Sequence, residues 1–161
     1  MTRLSHLDDG GRPRMVDVSG KEATLRTATA MGTLSCATET LLQVRSGTAP
    51  KGSVVRTAEL AGVMAAKRTA ELIPLCHPLP LTKVEVSIDL DDELPGFRVG
   101  AEVRTHGVTG VEMEALTAVS VACLTLFDML KAIDRSMVIG DIQVTTKTGG
   151  KSGDWQRTGA A

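Results

Sequence analysis

The chain has 161 residues, 42% of them hydrophobic, enough for the core of one domain. Lys and Arg number 18 against 19 Asp and Glu, a net charge of −1, so no global field recruits nucleic acid or an anionic membrane. Tyr is absent and Phe97, Phe127 and Trp155 are the aromatics, too few to stack bases along a sheet.

Cys36, Cys76 and Cys123 are an odd, widely spaced set, which fits a reducing compartment better than a disulfide framework. The N-terminus has no continuous apolar signal region, and no uninterrupted apolar run reaches the roughly 18 residues of a membrane span. The expectation is a cytoplasmic protein of one domain over residues 1–161, with residues 1–14 a mobile arm and 148–161 a Gly-rich flexible tail.

In chain order, "MVDVS" at 15–19 reads as a short strand. Residues 24–35 alternate Leu25, Thr27, Thr29, Met31 and Thr33 with smaller residues, which predicts a strand. "ATETLLQVRSG" predicts a short helix closed by Gly47. "RTAELAGVMAAKRTAELI" predicts one helix capped by Thr57, with Ala61, Met64, Ala65 and Leu72 on its apolar side, ended before Pro74. "LTKVEVSIDL" and "FRVGAEVRT" alternate with period two around "DDELPG" and predict a hairpin. A long helix over 111–134 and a last strand in "MVIGDIQVTTK" complete a β, α(α), β, β, α, β order. That order predicts an α+β, ferredoxin-like (split βαβ) antiparallel sheet with helices packed on one face.

The long helix, at 100° per residue, gathers Ala115, Val119, Ala122, Leu126, Leu130 and Ile133 on a side suited to the sheet. The other side carries Glu114, Thr117, Val121, Leu124, Asp128 and Lys131, polar at both ends and apolar between. This pattern suits neither a solvated face nor a core face, but fits an interface between subunits. Glu114 and Asp128 stand about 21 Å apart along a helix, too far to act on one small molecule. Two such helices crossing antiparallel about a two-fold near Val121 bring Glu114 of one copy towards Asp128 and Lys131 of the other. Taken alone, Asp128 and Lys131 are an i,i+3 ion pair, which usually decorates a solvated stripe.

"LIPLCHPLPL" holds Leu75, Cys76 and His77 between Pro74 and Pro78, a stiff segment able to present backbone groups and an imidazole. The other histidines are His6 and His106, and no CxxC or HxxxH spacing marks a metal site. "GGKS" in the tail lacks the first glycine of a phosphate loop, since position 145 is Thr145, and too few residues follow for the helix. The glycines with Lys147 and Lys151 can still wrap an anion; a frayed terminus is the competing reading.

Together "KGSVV", "AGVMAAKRTAELIPLCHPLPLTKVEV", "TGVEMEALTAVSVACLTLFDMLKAID", "MVIGDIQV" and "KTGGKSGDW" resemble the molybdenum cofactor biosynthesis protein C family over nearly the whole chain, from "HLDDGGRPRMVDVS" to Trp155. The family commonly reads Lys-Gly-Asp-Val where this chain has Ser53 after Gly52. The resemblance implies a ferredoxin-like lyase that converts 3′,8-cyclo-7,8-dihydro-GTP to cyclic pyranopterin monophosphate and pyrophosphate; no cofactor and no metal-ligating residues are expected. It further implies a hexamer, a trimer of dimers with sites at dimer interfaces, and an upstream radical S-adenosylmethionine enzyme that cyclises GTP. Carried over by position, Asp128 and Lys131 are the catalytic pair. Leu75, Cys76, His77, Met113 and Glu114 contact substrate, and Glu112, Lys51 and Lys147 line the pocket. Proton transfers during ring opening and pterin closure suit a carboxylate and an amine, and departing pyrophosphate suits Lys51, Lys147 and the Gly149-Gly150 backbone. The guanine edge, a row of donors, suits Glu114 as an acceptor. The competing expectation is a non-catalytic oligomeric ligand-binding module on the same fold.

Overall fold

The computed structural model describes residues 6–159. Its elements are β1 (Thr24–Ser35), α1 (Thr38–Arg45), α2 (Val54–Ala66), α3 (Thr69–Leu72), β2 (Leu81–Asp91), β3 (Gly96–Gly107), α4 (Glu112–Leu130), β4 (Val138–Thr148) and β5 (Trp155–Gln156). The sheet runs β2-β3-β1-β4-β5 with every neighbouring pair antiparallel. Its first four strands have the order of a ferredoxin-like split βαβ fold, as the alternation of elements predicts.

Period two decides which strand faces are covered. Phe97, Val99, Ala101 and Val103 of β3 are buried together with Ala28, Ala30 and Leu34 of β1, and they meet Ala115, Ala118, Val119, Ala122 and Leu126 of α4 in one core. The small-residue side of β1 therefore faces the helices. Gly32 sits where a β-carbon would stand 2.7 Å from Val119 Cγ1, so the missing side chain lets α4 lie close on the strand. Gly62 serves likewise where α2 crosses α4, since a β-carbon there would be 2.9 Å from the Ala118 carbonyl oxygen.

Five expectations are corrected. Residues 15–18 carry no strand pairing. The second helix begins at Val54 rather than after Thr57; Thr57 lies inside it and donates its hydroxyl to the Ser53 carbonyl at 2.8 Å. Its buried residues are Val54, Ala58, Gly62, Ala65 and Ala66, which leaves Met64 and Leu72 exposed instead of packed. It also breaks at Lys67 and Arg68, because Thr69 turns inward and donates its hydroxyl to the Ala66 carbonyl at 3.0 Å, after which the chain restarts as α3. The long helix ends at Leu130 with Lys131 as its C-cap, four residues before the expected end.

Asp134 explains that last boundary. Its carboxylate is buried and accepts hydrogen bonds from Ala37 N–H at 2.8 Å and the Thr40 hydroxyl at 3.2 Å, where α1 begins. It also accepts from Ser136 N–H at 2.8 Å and the Ser136 hydroxyl at 2.6 Å. Those donors, the Ala37 amide first, hold its pKa down at about 2 against an ordinary 3.8. The folded chain binds this proton less readily than the unfolded one. The stabilisation is therefore complete above pH 3.8 and is lost as the pH falls towards 2. Asp134→Ala is expected to cost about 2–4 kcal/mol by urea unfolding at neutral pH, and to flatten the acid limb of the stability curve. An unchanged midpoint at pH 7 would show that the clamp contributes nothing.

Candidate active site

α4 carries a different cluster at each end. Its first turn, with Glu112 and Glu114, borders a cleft of about 460 Å³. The Pro-bracketed segment supplies Leu75, Cys76 and His77 to the same cleft, and Met113 and Leu79 add apolar surface. Six residues expected at the site, from segments 75–77 and 112–114, are thus brought together by the pairing of β2 with β3 and the packing of α4 on the sheet. Glu114 departs from its expected place. The wheel puts it on the face of Leu124 and Asp128, whereas it is 4% exposed and turned into the cleft. Burial pushes its carboxyl above the usual range; its own backbone amide pulls down, and the Glu112 charge adds to the rise. Burial, with Glu114 nearby, also raises the Cys76 thiol. A group poised to keep its proton can donate it, so this end of the cleft pairs an acid with an acceptor within one pocket.

A second cavity of about 240 Å³ adjoins the first and shares Lys21, Thr109, Gly110 and Glu112 with it. Its walls are polar, with Lys21, Arg26 and Lys147 beside Thr148, Gly149 and Ser152. Arg26 is fixed by donating Nε–H to the Gly107 carbonyl at 2.9 Å, and Lys147 donates to the Ser152 hydroxyl. Gly149 and Gly150 have φ of +88° and +77°, and a side chain on Gly149 would strike the Leu25 carbonyl oxygen. Only glycine turns the chain there with Lys147 held against β1. Beyond this turn β5 pairs with β4 through Lys147 with Trp155 and Thr146 with Gln156, a strand that the Gly-rich composition of the tail hides.

Asp128 and Lys131 stand at the other end of α4. Lys131 Nζ lies 2.6 Å from Asp128 Oδ1. Lys51 Nζ lies 3.4 Å from Asp128 Oδ2 and donates to the Asp128 backbone carbonyl at 2.9 Å, one of the free carbonyls at the helix terminus. Within the chain Lys51 thus completes a Lys-Asp-Lys cluster at this end of α4. Asp128 is held below the usual carboxylate range chiefly by the Lys131 hydrogen bond, then by the charges of Lys131 and Lys51. All three side chains are solvent-facing, with Asp128 59% exposed. Between the clusters lie 14 residues of helix, about 21 Å. Leu124, 58% exposed, stands between them on the outer face, with Leu60 and Met64 exposed on α2.

Lys21, Arg26, Thr109 and Gly110 were missed as site residues by sequence reasoning, because they belong to no spacing motif and meet only through the fold. Among the described residues, no group of three or more His, Cys, Asp or Glu side chains is placed to hold a metal ion. All three cysteines are free thiols. α4 is long and apolar enough to cross a membrane by composition, but 56% of that stretch is buried inside the domain against the sheet.

Residues 15–150 match the family model described as "MoaC family". Proteins named cyclic pyranopterin monophosphate synthase from Brucella ovis, Brucella melitensis biotype 2 and Brucella abortus are each 59% identical over 153 residues, 95% of this chain and 93% of their own length. With 136 residues matched by the family model and relatives of this identity along nearly the full chain, the chain belongs to the MoaC family.

Proposed function

We propose that the chain converts 3′,8-cyclo-7,8-dihydro-GTP to cyclic pyranopterin monophosphate with release of pyrophosphate, as a lyase of molybdenum cofactor biosynthesis. The observation that carries this reading is the joining of two unlike cavities through Lys21 and Glu112. One is part apolar with two carboxylates, suited to a purine-derived ring whose N–H groups need acceptors. The other is basic and glycine-walled, suited to a phosphate chain whose charge grows as pyrophosphate leaves.

Within this reading Glu114 and Glu112 hold the ring edge, and Leu75, Cys76, His77 and Met113 form the wall it rests on. Lys147, with Lys21 and Arg26, takes the phosphates. Asp128 and Lys131 are the catalytic pair, with Lys51 on the far side of the carboxylate. The 21 Å between the ends of α4 supports a reading in which this pair works in the cleft of a second copy. The exposed Leu60, Met64 and Leu124 supply an apolar surface for that contact. Sites at dimer interfaces, three dimers forming a hexamer, and supply of substrate by an upstream radical S-adenosylmethionine GTP cyclase complete the proposal, as does a place in the cytoplasm. The relatives bear the name of a synthase, so the binding-module alternative is not favoured.

The test is to incubate the pure protein with the cyclised dihydro-GTP and measure pyrophosphate. Stoichiometric release with formation of the cyclic phosphate is expected, and binding without release would overturn the reading.

A further inference from the structure

His77 Nε2 lies 2.7 Å from the Val16 backbone oxygen, an N–H donated to a carbonyl. In a neutral ring that commits the proton to Nε2 and leaves Nδ1 with only a lone pair. Val16 belongs to residues 15–21, which run along the mouth of the cleft without strand pairing. Val16 and Val18 are half-buried and line the cleft, while Met15 and Asp17, which alternate with them, are exposed. Past Val18 the segment turns on itself: Asp17 Oδ1 accepts from Ser19 N–H at 2.9 Å and from its hydroxyl at 2.7 Å, and Lys21 N–H donates to the Val18 carbonyl at 3.0 Å. Those bonds are internal to the segment. Among the described residues, the bond from His77 is the hydrogen bond that ties residues 15–21 to the body of the domain. The turn ends on Lys21, the cation that faces both the carboxylate cleft and the phosphate cavity.

We propose that His77 is a positioning residue: its Nε2–H straps residues 15–21 across the cleft and so sets where Lys21 stands between the two cavities. This deepens the proposed function and rests on it for the substrate, but the tether itself is testable without substrate. His77→Gln carries an amide that reaches the place of Nε2, whereas the amide of His77→Asn stops at that of Nδ1. In ligand-free protein, trypsin cleavage after Arg14 and Lys21 should quicken about tenfold in His77→Asn and stay near wild type in His77→Gln. Equal, unchanged cleavage in both variants would overturn the tether.

With the cyclised dihydro-GTP, His77→Asn should raise KM about tenfold with kcat within about threefold, and His77→Gln, which keeps the tether but takes the ring out of the cleft wall, should recover part of that rise in KM. Adding Lys21→Ala to His77→Asn should cost little beyond Lys21→Ala alone, since both remove the same placed cation. A fall in kcat in His77→Gln, with KM unchanged, would mean that the imidazole itself does the chemistry and would overturn the positioning role. If wild-type protein released no pyrophosphate while the protease result held, the substrate assignment would fail and the strap would stand.

Discussion

Asp128→Ala and Lys131→Ala are each expected to lower pyrophosphate release by at least about 10³-fold, while melting and oligomer size stay near those of the wild type. The two halves of this expectation have separate causes. Both side chains are more than half exposed in the protomer, and among the described residues their side-chain hydrogen bonds and ion pairs are with each other and Lys51, so removing either strands no buried polar partner. An exposed i,i+3 ion pair of this kind contributes little to the stability of one chain, so a large loss of turnover without a loss of stability would speak for the catalytic role proposed above. Asp128→Asn is the sharper variant, because it keeps the shape and an acceptor for Lys131 but cannot take up a proton at working pH. A binding module would tolerate Asp128→Asn. Wild-type turnover in Asp128→Ala or Lys131→Ala, by the pyrophosphate assay, would remove the pair from the mechanism.

The sheet was legible because alternation is a local property that tertiary packing then uses: Phe97, Val99, Ala101 and Val103 repeat with period two and are all buried. The inner stripe of α4 was legible for the same reason, with Ala115, Val119, Ala122, Leu126 and Leu130 fully buried as the wheel places them. Glu114 was misjudged because a wheel knows only the helix. Its burial comes from Cys76 and the other residues of the cleft, which arrive from elsewhere in the chain. Thr57 is the cap that the sequence suggests. Burial of Val54 and Ala58 moved the start one turn earlier, although Ser53 makes no side-chain cap hydrogen bond. Lys51 carries no local signal of its partner, which lies 77 positions away. The motif resemblance reached Leu75, Cys76, His77, Glu112, Met113 and Glu114, and the fold does gather them in one cleft. It did not reach Arg26, whose role depends on the Gly149-Gly150 turn lying against β1.

Mixing two inactive variants should restore activity. If Asp128 and Lys131 serve the cleft of a neighbouring copy, a Lys131→Ala subunit lacks its catalytic lysine but keeps an intact cleft, and a Glu114→Gln subunit lacks its ionisable carboxyl but keeps an intact pair. In a mixed two-fold dimer one site then collects both defects and the other collects none. Random reassortment of equal amounts makes about half of the dimers mixed, with one of two sites complete, so about a quarter of wild-type turnover is expected after the subunits exchange. Glu114→Gln is preferred over alanine because the side chain is 4% exposed and the amide keeps its volume, so that loss of activity is not loss of fold. The raised pKa of Glu114 adds a check. Its carboxyl keeps a proton to higher pH than an ordinary glutamate, so Glu114→Gln should impair turnover least at the acidic end of the pH range, where the two side chains most resemble each other. Activity that never exceeds the sum of the separate variants, after exchange is verified by mass spectrometry, would place the whole site in one chain. The helix length of about 21 Å would then have to be bridged by a rearrangement of α4 itself.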